Sequence, residues 1–167
     1  HPFAMEKSIG EQPKTQITPD RVVNMAEQPF ALDPAWEIDE VKQALQSLIS
    51  SREGNLERII QLLKDGVDIE YKDIDEDTAL LIASRNRHLD IVSLLLKRGA
   101  NVNARNHKGN TALIDACYYE NISIIPLLLE NGANIDSQNY YGNTSLIEAA
   151  YMGNISIVCL LLERDAN

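Results

Sequence analysis

Apolar residues in this chain come in short runs at helical spacing, and the runs return. Leu89, Ile91, Val92, Leu94, Leu95 and Leu96 recur as one face of a helix over residues 88–97. Gly99 follows two residues later, where a left-handed residue ends a helix. Just upstream, Thr78-Ala79-Leu80-Leu81-Ile82-Ala83-Ser84 predicts a shorter helix with Thr78 as its cap. Ala100-Asn101-Val102-Asn103 leads out of the pair, and Asn106-His107-Lys108-Gly109-Asn110 predicts a tight hairpin turn.

The same plan then starts again. Thr78, Thr111 and Thr144 are 33 residues apart, as are Leu80, Leu113 and Leu146, Ala83, Ala116 and Ala149, and Gly66, Gly99 and Gly132. Residues 106–134 and 139–167 are identical at 18 of 29 positions, which shared composition alone does not produce. A fixed period of this length marks a stack of supersecondary units.

The unit resembles the ankyrin repeat. Thr111-Ala112-Leu113 and Thr144-Ser145-Leu146 stand where that family has Thr-Pro-Leu. Gly99-Ala100-Asn101-Val102-Asn103 and Gly132-Ala133-Asn134-Ile135-Asp136 match its Gly-Ala-Asp-Val-Asn segment. The departures are mild: Leu81, Ile114 and Ile147 replace the usual His, and Ala or Ser replaces Pro. The resemblance covers about residues 44–167. It implies an all-α ankyrin-repeat solenoid of stacked helix-turn-helix units joined by β-hairpin-like loops.

On this frame, residues 33–72 are expected to form a capping helix and the first repeat. Residues 73–105 form the second, 106–138 the third and 139–167 the fourth. The leading helix carries Ile38, Val41, Leu45, Leu48 and Ile49 on one stripe, with Asp33-Pro34 as its start. Arg58 and Gln61 replace the Ile91 and Leu94 of the second unit, as a polar end of the stack would require. The fourth unit keeps Ile157, Val158, Leu160, Leu161 and Leu162, so its end is expected to be uncapped and the natural chain to continue, or else to pack on a partner or a second copy. Pro126 falls inside the second helix of the third unit and predicts a small irregularity. Residues 1–4 precede Met5 and are expected to be a cloning scar. Residues 5–32 read as a flexible or loosely docked extension, with Thr18-Pro19-Asp20 able to start a short helix.

Composition narrows the function. Hydrophobic residues make up 44% and charged residues 24%, ordinary globular usage. The net charge of −10 repels phosphate backbones and anionic membranes, so neither nucleic acid nor a membrane is expected as partner. Cys117 and Cys159 make no disulfide framework and fit a reducing, cytoplasmic compartment, although a removed signal would leave secretion open. No cofactor is expected, and no metal. Asp73-Ile74-Asp75-Glu76-Asp77 lacks the glycine and distant glutamate of a calcium loop and suits the hairpin frame better. No catalytic residue is expected either. His1, His88 and His107 have no nucleophile at a recognisable motif, and Cys117 stands at a small-residue core position.

Function therefore falls to the variable positions. In ankyrin-like proteins the hairpin tips and the exposed side of each first helix line a concave groove. The resemblance implies contact positions at Ile74, Asp75, Asp77, Arg85 and Asn86 in the second unit. In the third they are His107, Lys108, Asn110, Tyr118 and Tyr119, and in the fourth Tyr140, Tyr141, Asn143, Tyr151 and Met152, with Arg105 and Gln138 alongside. Five of the six tyrosines fall in this set, and the repeat requires an aromatic at none of these places. Tyrosine offers large contact area for little lost side-chain freedom. The groove over the third and fourth units is the expected contact surface; the alternative is that these rings stack on one another and brace the solenoid. Asp75, Asp77, Asp115 and Glu148 lie near the groove, which suggests a protein partner with basic side chains. The expectation is a non-catalytic module of adaptor, effector or inhibitor type, monomeric unless its apolar end pairs. The alternative is the recognition part of a larger enzyme or channel.

Overall fold

Three threonines set the pitch of the molecule. The Thr78, Thr111 and Thr144 hydroxyls accept from the backbone N–H groups of Leu81, Ile114 and Ile147, and each satisfies a donor that an α-helix leaves open at its start. A computed structural model describes residues 38–50 and 55–164 of the chain, with side chains of the first helix from Lys42 onward. The expectations for residues 1–37 and 165–167 lie outside the described residues.

Eight helices and no strands occur among the described residues. They are α1 (Ile38–Ser50), α2 (Leu56–Lys64), α3 (Ala79–Arg85), α4 (Leu89–Lys97), α5 (Ala112–Tyr118), α6 (Ile125–Glu130), α7 (Ser145–Tyr151) and α8 (Ile155–Glu163). Each odd-numbered helix packs on the even-numbered helix that follows it. The odd-numbered ones also pack on each other in sequence, α1 on α3 on α5 on α7. The all-α solenoid of stacked helix pairs is thus as expected. A pair of helices this short cannot cover its own apolar face, so one core runs through the stack. Leu45, Ile49, Ile59, Leu62, Leu80, Ile91, Leu95, Leu113, Leu128, Ala149, Ile157 and Leu161 belong to it.

Gly99 ends α4 with φ +85°, and the backbone N–H groups of Gly99 and Ala100 return to the carbonyl oxygens of Leu96 and Leu95 at 3.0 Å each. Loops between units are closed by an Asp or Asn that accepts two backbone N–H groups: Asp73 from Asp75 and Asp77, Asn106 from Lys108 and Asn110, Asn139 from Tyr141 and Asn143. Successive loops are then laced together. The N–H of His107 donates to the Asp75 carbonyl at 3.1 Å, and that of Tyr140 to the Lys108 carbonyl at 3.0 Å.

Three details differ from the sequence pattern. Pro126 shortens its helix: α6 starts at Ile125, three residues later than the position matching Leu89 and Ile155. Proline has no N–H and its ring crowds the preceding turn, so the helix begins where that missing donor is not needed. Arg58, expected on a solvated end, is buried at 6% exposure. Ile147 is 45% exposed, whereas Ile114 and Leu81, one and two units earlier, are buried, because the next first helix covers each of those.

Candidate functional site

Along the inner side of the stack, the loops and the first helices enclose a cavity of about 420 Å³. Its floor is polar. Arg85, near the end of α3, reaches Asp77 in its own unit at 2.8 Å and Asp115 on α5 at 2.9 Å. Asn110 donates to Asp115 at 2.8 Å and Asn106 to Asp77 at 2.9 Å. Asn139 donates to Asn110 at 3.0 Å and to Glu148 on α7 at 3.2 Å, and Asn143 donates to Glu148 at 2.9 Å. These bonds run unbroken from the second unit to the fourth.

Burial by itself would lower the pKa of Arg85, but its two carboxylates hold it above its ordinary value. Burial pushes Asp115 above the usual carboxylate value, against the pull of Arg85 and Asn110. On the far side of α5, burial pushes the Cys117 thiol up to about 12. It therefore stays a packed thiol rather than a nucleophile at neutral pH.

Around this floor stand aromatic rings. Tyr118 and Tyr119 meet edge to face with centroids 5.0 Å apart, and the Arg85 guanidinium lies 5.8 Å from the Tyr119 centroid. The two rings remain about four-tenths exposed, and Tyr140, Tyr141 and Tyr151 are largely exposed. The rings brace one another in part and are not sealed inside the stack.

Nine of the expected contact positions line the cavity: Asp75, Asp77, Arg85, His107, Lys108, Asn110, Tyr118, Tyr119 and Tyr141. Tyr140, Asn143, Tyr151 and Met152 do not. Tyr140 lies instead across the preceding loop, where a methyl group on Gly109 would come within 2.8 Å of its ring. Asp77, expected at an exposed tip, is 2% exposed, because Arg85 and Asn106 draw it inward. Arg85 is likewise engaged on both sides by carboxylates, and it offsets part of the negative potential expected at that end. Asn110 and Asn143 spend their amide donors inside the chain. Two lining residues were not among the expected contact positions, Asn106 and Asn139. The signal for them is an Asp or Asn at the 33-residue stations 73, 106 and 139.

A family model described as ankyrin repeats (3 copies) matches residues 47–139 and 106–167. The chain belongs to the ankyrin-repeat family. No curated protein matches it. Ankyrin repeats are generally protein–protein interaction modules and generally non-catalytic. Among the described residues, no helix of this ankyrin-repeat protein is long and apolar enough to cross a membrane. Two carboxylates of its acidic loop are used internally, Asp73 by backbone N–H groups and Asp77 by Arg85.

Proposed function

We propose that this protein is a non-catalytic binding module that grips a protein partner in the groove over its third and fourth units. The observation that carries the reading is the set of exposed rings, Tyr118, Tyr119 and Tyr141, around a cavity with a hydrogen-bonded polar floor. Aromatic side chains around a rigid concavity are what interface centres use. The floor keeps its shape without a ligand, since its bonds are internal, so little order has to be created on binding. The surplus of acid over base in the whole chain, with a net charge of −10, favours a partner with a basic surface and speeds its approach at low salt.

The test is affinity capture with the 167-residue chain and with a variant carrying alanine at Tyr118, Tyr119, Tyr140 and Tyr141. The captured partner is then titrated against both by calorimetry. Loss of binding on the variant, with the helical melt retained, supports the groove. Equal binding by both excludes it.

A further inference from the structure

We infer that the cavity seats an arginine side chain of the protein partner, with its guanidinium on Glu148 and its flat face against the surrounding tyrosine rings. This rests on the groove reading and names the chemistry that fills it.

A step of 33 residues carries Arg85 onto Tyr118, Asp77 onto Asn110 and Asp115 onto Glu148. Between the second and third units the chain completes this arrangement itself, with Arg85 bridging Asp77 and Asp115 and lying over the Tyr119 ring. Between the third and fourth units the carboxylate is kept but the cation is replaced by Tyr118. Glu148 is 7% exposed and lines the cavity. Its two hydrogen bonds, from Asn139 and Asn143, both fall on Oε1. Oε2 accepts no bond, and no cation pairs with Glu148 among the described residues.

Glu148 is largely removed from water, and a cation with matching donors would offset that loss more fully than the two neutral amides on Oε1 do. A guanidinium arriving from outside would add charge-assisted bonds at Oε2 in a poorly screened setting. Tyr118, Tyr119 and Tyr141 around the same cavity select arginine over lysine. The guanidinium is planar, weakly hydrated and stacks on aromatic faces, whereas an ammonium holds its water tightly. The contact between Arg85 and Tyr119 is the same pairing made within the chain.

The experiment titrates the 167-residue chain, followed by amide NMR, with a capped glycine peptide carrying one arginine. Its citrulline and lysine counterparts serve as controls. The arginine peptide is expected to bind weakly, on the order of 1 mM, and to shift the amide signals of Asn139, Asn143 and Glu148. Citrulline, which has the shape without the charge, should not bind, and lysine should bind less well. Glu148→Gln keeps an oxygen for Asn139 and Asn143, so the fold persists, and it should weaken the arginine peptide about tenfold or more. Tyr118→Arg should supply the cation internally, abolish peptide binding and raise the melting temperature. Equal binding of citrulline or lysine, or unchanged binding by Glu148→Gln, overturns the inference. If the captured partner still depends on the four tyrosines while the arginine peptide shows no contact, the groove stands and the arginine anchor alone falls.

Discussion

The side-chain amide of Asn121 donates to the carbonyl oxygen of Ser84, one unit back, at 2.6 Å. It also reaches the Arg85 carbonyl at 3.0 Å and accepts from Arg87 Nε at 2.6 Å. Ser84 and Arg85 are the last residues of α3, whose carbonyl groups have no partner within the helix. Asn121 is 2% exposed, so water cannot readily take its place. Asn121→Ala should therefore destabilise the chain by about 1–3 kcal/mol. Urea unfolding measures this, and an unchanged midpoint would mean that the contact contributes nothing.

Arg85→Ala should leave Asp77 and Asp115 facing each other without their cation. For a fully buried pair the loss is about 3–5 kcal/mol. Here roughly 2–3 kcal/mol is expected, because water still reaches the arginine side chain. Adding Asp115→Asn to that variant should recover part of the loss, and a double-mutant cycle reads the coupling.

Gly109 and Gly142 hold the same loop position at φ +75° and +80°. Alanine at either should lose roughly 1 kcal/mol to left-handed backbone. A methyl at 109 also meets the Tyr140 ring and its backbone N–H nitrogen at 2.8 and 2.9 Å, whereas one at 142 meets nothing within 4 Å. Gly109→Ala should accordingly be the more damaging of the two by chemical denaturation, and only it should shift the Tyr140 resonances.

Pro126→Ala should let α6 begin near Ile122, as α4 and α8 begin at the matching Leu89 and Ile155. Alanine restores the missing N–H donor and removes the ring that crowds the preceding turn. Cα chemical shifts of residues 122 and 123 should move to helical values. If they stay where they are, the loop rather than the proline sets the helix start.

The thiol of Cys117 gives a pH signature. Its folded pKa of about 12 lies above the ordinary 9.0, so the stability tied to it is fully present below pH 9.0. As pH rises further the unfolded chain ionises and the folded one does not, so that stability drains away by about 1.4 kcal/mol per unit. The stability of Cys117→Ala relative to the parent should thus improve by about 1 kcal/mol between pH 9 and 10, where the unfolded thiol passes from half to almost fully ionised. Native labelling at pH 8 should modify the exposed Cys159 and spare the buried Cys117.

Much of this fold was legible because its causes are local. A threonine that caps, a glycine at the left-handed stop and leucines at helical spacing act within one turn of their own helix, and Thr111, Gly99 and Leu95 do so where the 33-residue step puts them. Pro126 was visible too, but not its effect. Whether a proline bends a helix or resets its start depends on how much of the preceding turn the core holds in place.

The candidate site was legible in outline only. The tyrosines stood out because the repeat does not call for them. Asp77 read as an exposed tip because nothing near it in sequence announces the Asn106 amide that reaches it across the unit boundary, a separation of 29 residues. The sequence by itself determined the repeat, the helix ends and the apolar core, since each follows from backbone chemistry and a period. Only the tertiary structure decided that Arg85 bridges two carboxylates and that, among the described residues, no cation meets Glu148. The offset between stacked units sets which side chains of neighbouring repeats can touch, and no single unit encodes that offset.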